Sequence, residues 1–228
     1  MNCVTFRRGI KKKIAPAGPM RENRTYMRNR MMFLAQALMH PFQVAAPCES
    51  SPATVAEIVR RTTSTVRKVV VEFGPGPGAV ARDLAKKDVL TEDSLIVLIE
   101  ANKKFADTLK RTIDDPRVRV FHDVAQNVRV ILDQCGVDKA DTIISSIPYS
   151  VMRRSVRENI VRETADALSH PNGKHLLYNV NTKKVEKTLR AFFPHMTATR
   201  LEDNAPPLVL YEAFVEKQEA HRNDRDSD

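Results

Sequence analysis

Val69-Val70-Val71-Glu72-Phe73-Gly74-Pro75-Gly76-Pro77-Gly78 is the stretch that decides the fold. A β-branched run ends in an acid, and three glycines follow at alternate positions. The run suits a strand buried on both faces. The glycines suit a turn that passes close to a ligand, because no Cβ blocks the approach. Residues 79–87 then read as a helix whose first amides face that ligand. The spacing is G-x-G-x-G, not the G-x-G-x-x-G of dinucleotide binders. The tighter loop suits a nucleoside without a pyrophosphate. A chance glycine-rich turn is the plain alternative, and the downstream sequence weighs against it.

Ser94-Leu95-Ile96-Val97-Leu98-Ile99-Glu100 is a second apolar run ending in an acid. Doubly wound folds place a carboxylate here, at the carboxyl end of the neighbouring strand, on ribose hydroxyls. A carboxylate accepts both hydroxyl hydrogens. Capping of the following helix, 102–112, is the structural alternative for Glu100.

The rest of the chain continues the alternation. Strands are expected near 68–73, 95–100, 117–122, 141–147 and 174–180. Helices near 79–87, 102–113, 124–135, 151–168 and 182–192 separate them. Two closing strands, near 197–203 and 208–217, flank Pro206 and Pro207. Strand–helix alternation implies an α/β fold, a doubly wound, mostly parallel seven-stranded sheet with helices on both faces. The final hairpin-like pair makes the last strand antiparallel to its neighbours. Ser51 is an expected N-cap, with Pro52 at the first position of a helix running to about Thr62.

Composition sets the outer bounds. At 228 residues, 42% hydrophobic and 29% charged, the chain is an ordinary globular protein with one full core. No run of about 18 apolar residues exists, so no transmembrane helix is expected. The basic start lacks an apolar h-region, which argues against a signal peptide. Cys3, Cys48 and Cys135 are few, odd in number and far apart; they fit a reducing compartment, and no metal site is expected. Residues 1–30 carry nine basic side chains and one acid, hence +8, out of a total of +9. The excess charge is therefore N-terminal, where it seeks a polyanion, nucleic acid or an anionic membrane. Residues 1–20 read as a disordered basic tail, and 218–228 as a second disordered tail. Between 21 and 40, Met27, Met31, Leu34 and Leu38 share one helical face while Arg24, Arg28 and Arg30 border it. Such a helix suits a membrane interface or packs as ordinary core. It and the following helix make up an N-terminal extension, 21–62, ahead of the alternating α/β domain at 63–217.

The paired acids and the glycine loop resemble the nucleotide half of class I S-adenosylmethionine-dependent methyltransferases. The resemblance implies that Glu72, Gly74, Gly76, Gly78 and Glu100 hold the cofactor, S-adenosyl-L-methionine, and that Asp123 accepts from its adenine amino group. His122-Asp123-Val124-Ala125 departs from the usual Gly-Asp-Ala, which leaves the register of Asp123 open. Ala140-Asp141-Thr142-Ile143-Ile144-Ser145-Ser146-Ile147-Pro148-Tyr149 is similar to the strand and turn that present an acceptor nitrogen to the methyl group.

Three segments narrow the family. His40-Pro41-Phe42-Gln43-Val44 with Pro47-Cys48-Glu49-Ser50-Ser51, then Ser145-Ser146-Ile147-Pro148, then Asn204-Ala205-Pro206-Pro207 resemble bacterial phospholipid N-methyltransferases over roughly residues 30 to 216. The related ribosomal RNA adenine dimethyltransferases share the glycine loop and show Asn-Leu-Pro-Tyr at the turn. Here Ser146 stands at the Asn position, and a hydroxyl cannot reproduce amide geometry toward adenine. That family also carries a helical RNA-binding domain after the last strand, whereas this sequence ends about ten residues after its expected last strand, so nucleic acid is expected to be the less favoured partner. The resemblance implies an aminolipid substrate, anionic membrane lipids as partners, and a cytoplasmic enzyme peripheral on the membrane. Ser145, Ser146 and Tyr149 are the implied catalytic residues, and Pro148, Tyr149 and Tyr178 the implied substrate contacts. Tyr149 replaces the leucine or phenylalanine common in the lipid family, which allows an aminolipid other than phosphatidylethanolamine, such as an ornithine lipid. An RNA adenine methyltransferase and a non-catalytic cofactor-binding module are the alternatives. The oligomeric state is not legible.

Overall fold

The computed structural model describes residues 50–63, 69–169, 172–180, 183–204 and 206–215. The expected basic tail, the 21–40 helix, the segment up to Glu49 and the acidic tail lie outside the described residues.

Seven strands form one sheet: β1 (Val69–Phe73), β2 (Leu95–Glu100), β3 (Val118–His122), β4 (Thr142–Ser145), β5 (Lys174–Val180), β6 (His195–Leu201) and β7 (Leu208–Phe214). Their spatial order is β3-β2-β1-β4-β5-β7-β6. The first five are parallel, and β7 runs antiparallel to both β5 and β6. This is the expected doubly wound, mostly parallel sheet. Because the order reverses between β1 and β4, the carboxyl ends of those strands bound the crevice in which such folds bind ligands.

Among the described residues six helices cover the sheet: α1 (Pro52–Thr62), α2 (Ala79–Leu84), α3 (Lys103–Thr112), α4 (Val128–Gln134), α5 (Arg154–Ala167) and α6 (Lys183–Arg190). Side-chain alternation along the strands divides the core in two. Val71, Phe73, Val97, Ile99, Ile143 and Leu177 pack under α4, α5 and α6. Val70, Ile96, Leu98, Ile144, Leu176 and Leu210 pack under α1, α2 and α3. Each such buried aliphatic side chain contributes about 1.5–3 kcal/mol.

Local chemistry sets the boundaries. Ser51 caps α1 by accepting from the Thr54 amide at 3.1 Å, Pro52 opens the helix, and Arg60 and Arg61 occupy its negative end. Asn102 caps α3 by accepting from the amides of Lys104 and Phe105. β4 is shorter than expected because Pro148 removes a ladder donor and bends the chain into a 3-10 turn, Tyr149–Val151, so that α5 begins at Arg154. No helix among the described residues is long and apolar enough to cross a membrane.

A buried polar cluster fixes α1 to the antiparallel side of the sheet. The ammonium of Lys174, 2% exposed, donates to the Arg61 carbonyl and lies 3.2 Å from Glu212 Oε1. Arg61 reaches Glu212 Oε2 at 3.2 Å and donates to Thr199 Oγ1 at 2.9 Å. Asn204 adds a second clasp: its Oδ1 accepts from the Ser51 amide at 3.1 Å, and its Nδ2 donates to Thr54 Oγ1.

Candidate active site

The glycine loop connects β1 to α2, and its three glycines all have left-handed φ values, +65, +54 and +88°. Such backbone is strained for any residue with a Cβ. Each glycine also answers a different spatial need. A Cβ on Gly74 would come within 2.6 Å of Ile147 Cγ2, and one on Gly78 within 2.5 Å of Leu109 Cδ2. Those two glycines let the loop pack on the β4 turn and on α3. A Cβ on Gly76 would meet nothing within 4 Å. Gly76 therefore borders open space at the carboxyl edge of the sheet.

Residues paired across a ladder point to the same side, as do residues two apart on one strand. Glu72 pairs with Leu98 on β2 and Ile144 on β4, and Ile144 pairs with Leu176 on β5. Glu100, Ser146 and Tyr178 each lie two residues beyond these partners. All four side chains thus belong to the α1–α2–α3 side of the sheet, at its carboxyl edge.

Glu72 is buried, and its Oε2 has no hydrogen-bond partner among the described residues. Burial first, and the Glu100 charge second, push its carboxyl up to about 8. Glu100 Oε2 accepts from the Gly76 amide at 3.0 Å and Oε1 from the Asn102 amide at 2.7 Å. Burial raises its pKa while these amides and His122 oppose the rise. Glu100 is thus bonded at the start of α3, but Asn102, not Glu100, supplies the cap. Each Glu100 oxygen uses one of its two lone-pair directions, leaving acceptor capacity for hydroxyl groups.

Asp123 ends β3. Its Oδ1 accepts from the Val124 amide at 2.7 Å and from Asn127 Nδ2 at 2.8 Å, and its own amide donates to the Glu100 carbonyl. The ends of β2 and β3 are therefore held together, with Asp123 4% exposed.

On the β4 side, Ser146 Oγ donates to the Gly74 carbonyl at 2.9 Å. The Tyr178 hydroxyl is bonded by Ser50 and Ser146, and burial together with the neighbouring Glu72 pushes it up to about 12. Tyr178 therefore stays neutral. Ser145 and Tyr149 face the other way. Ser145 pairs with Phe73 and Leu177, and Tyr149 packs in the cluster under α4, α5 and α6. Both are fully buried, and the Ser145 hydroxyl donates to the Tyr149 hydroxyl at 3.1 Å. Burial holds the Tyr149 phenol far above its usual range. Ser145 and Tyr149, expected to touch an acceptor beside Glu72, have side chains that lie on the opposite side of the sheet from Glu72. Pro148 remains half-buried at the turn between the two sides.

Two residues with no assigned role in the sequence hold this turn, and a third meets Tyr178. Asn179 Nδ2 donates to the Ile147 carbonyl at 3.0 Å. Arg157 Nη1 donates to the carbonyls of Tyr149 and Met152 at 3.4 and 3.3 Å. Ser50 approaches Tyr178 from the segment ahead of α1. Of these, only Ser50 stood in a segment whose resemblance to a family pointed toward the site.

The constellation fits a sulfonium nucleoside. An open face over Gly76 admits the ligand's close approach. The unpartnered Glu72 oxygen suits a cationic group, and Glu100 suits vicinal hydroxyls. Comparisons agree. No family model matches the chain. The chain is similar to ornithine lipid N-methyltransferase of Singulisphaera acidiphila, with 25% identity over 186 residues, covering 81% of this chain and 95% of that protein. Among solved structures it is similar to human methyltransferase-like protein 13 in complex with S-adenosylhomocysteine. That match has a TM-score of 0.56 and 16% identity, covering 75% of this chain and 85% of the other. It is also similar to magnesium protoporphyrin IX methyltransferase of Synechocystis PCC 6803 with bound S-adenosylmethionine. Here the TM-score is 0.56 and the identity 11%, over 86% of this chain and 99% of the other. With the sheet order, the glycine loop and both strand-end acids in place, this chain has the fold of the class I S-adenosylmethionine-dependent methyltransferases.

Proposed function

We propose that the enzyme methylates the amine of an aminolipid head group at a membrane surface. The observation that carries the lipid assignment is the relationship to a lipid N-methyltransferase across 81% of the chain. The Ser146–Pro148 turn and the Asn204 clasp on α1 support it, because they give structural work to the segments that resemble that family.

The cofactor supplies an electrophilic methyl on a sulfonium. Glu100 orients the ribose through its remaining lone pairs, Asp123 receives the adenine edge, and Glu72 places negative charge beside the cofactor's cationic groups. Ser146 and Tyr178 border the acceptor side, where their hydroxyl oxygens accept from the incoming amine. Alignment and exclusion of water account for the rate enhancement. An ammonium has no lone pair, so one proton leaves before the first transfer. The basic, one-sided apolar segment 21–40 brings the enzyme to anionic lipid.

Incubation with methyl-labelled S-adenosylmethionine and ornithine lipid, phosphatidylethanolamine or total RNA tests this reading, with binding to anionic vesicles measured in parallel. Label in a lipid is expected. Label in RNA alone, or cofactor binding with no labelled product, rejects it, and failure to sediment with vesicles rejects the membrane role.

A further inference from the structure

A cavity of about 410 Å³ opens between the first half of α5, the 3-10 turn and α6. It lies at the same carboxyl edge as the methyl-transfer site, beyond the β4 turn. Its lining carries Arg154, Arg157, Lys184 and Lys187 against one acid, Glu158, a balance of four minus one, or +3.

Arg157 is the informative member. It is 7% exposed, yet no carboxylate comes within 4.0 Å of it among the described residues. Its hydrogen-bond partners among the described residues are neutral: Thr188 Oγ1 at 2.9 Å and the two turn carbonyls. A buried guanidinium without a counter-charge is costly, and burial is tolerated when an anion completes the site. Lys184 and Lys187, one helical turn apart on α6, also stand without a carboxylate within 4.0 Å among the described residues. The sole acid of the lining, Glu158, is already paired with Arg154 at 2.6 Å. Beside the cavity, Val151 is 62% exposed and sits between the lining residues Ser150 and Met152. A cationic pocket with an apolar lip suits an amphiphile that carries an oxyanion near its amine.

Resting on the aminolipid reading above, we infer that Arg157, Lys184 and Lys187 bind the oxyanion of the acceptor head group. A guanidinium recognises carboxylate and phosphate alike. The shared chemistry has two sources, the carboxylate of an N-acylated ornithine or the phosphodiester of a phosphoethanolamine lipid. Arg157 couples this capture to the chemistry, because the same side chain holds the turn carbonyls of Tyr149 and Met152.

The test uses the full chain with S-adenosylhomocysteine bound and soluble head groups titrated by calorimetry. Nα-acetylornithine is compared with N-acetylputrescine, which has the same amine arm without the carboxylate. Glycerophosphoethanolamine is compared with ethanolamine. At least one oxyanion-bearing probe is expected to bind about tenfold or more tightly than its partner. The pair that shows this identifies the source. In the double variant Lys184→Gln/Lys187→Gln that preference falls at least fivefold, with S-adenosylhomocysteine affinity retained as evidence of folding. Equal binding within both pairs, no binding of any probe, or a preference that survives the double variant overturns the inference. Methyl transfer to lipid is scored separately. Transfer without an oxyanion preference rejects the pocket alone, and an oxyanion preference without transfer rejects the aminolipid reading alone.

Discussion

Replacing Glu72 by glutamine tests a carboxyl oxygen at the site that is buried without a hydrogen-bond partner among the described residues. With its pKa raised to about 8 by burial and by Glu100, only about one molecule in eleven carries this charge at pH 7. A bound cation favours the ionised form and returns the group toward its ordinary value of 4.5. Binding below pH 8 therefore releases a proton, close to 0.9 per site at pH 7. Cofactor affinity should rise about tenfold from pH 6 to pH 7, or about 1.4 kcal/mol, and level off near pH 8. Calorimetry at pH 6, 6.5 and 7, in buffers of different ionisation enthalpy, measures both quantities. Glu72→Gln should abolish the released proton and flatten the slope. The cofactor-free protein should respond in the opposite sense. A carboxyl whose folded pKa lies above its unfolded value contributes stability that is lost as pH rises from 4.5 through 8, at up to about 1.4 kcal/mol per unit. Glu72→Gln should then raise the melting temperature at pH 8 and leave it unchanged at pH 4.5. A wild-type enzyme that binds cofactor with no proton release and no slope would refute the electrostatic role of Glu72.

Two further outcomes are expected. His175 is fully buried beside Phe193, neither ring nitrogen has a partner, and burial lowers its pKa to about 3. Its contribution to stability is complete above pH 6.5 and is lost as pH falls toward 3, so His175→Phe should flatten the acid limb of denaturant midpoints measured from pH 6.5 to 4; an unchanged limb rejects the assignment. Gly76→Ala costs about 1–2 kcal/mol of backbone strain but meets no atom, so the protein should fold and lose cofactor binding by tenfold or more; wild-type affinity would mean that no ligand approaches this glycine.

The strands were legible because their signals are local. Val69–Phe73 and Leu95–Glu100 are continuous apolar runs of the kind a doubly covered sheet requires, and their terminal acids stood out against them. The direction of Tyr149 was not legible. Pro148 and the 3-10 turn end strand β4, so strand alternation carries no warrant beyond Ser145 and does not show that the phenol is buried on the Ser145 side. Arg157, Asn179 and Asn204 act on backbone atoms 5 to 153 residues away. Neither periodicity nor composition encodes such contacts. They arise only when the sheet brings the segments together.

The Asn204 clasp also orders events in time. It joins the start of α1 to the turn before β7 across 153 residues, and β7 itself enters the sheet between β5 and β6. During synthesis, then, the clasp on α1 closes only after Asn204 has left the ribosome. A nascent chain stalled before Asn204 would hold the glycine loop and both acids with the start of α1 still unclasped.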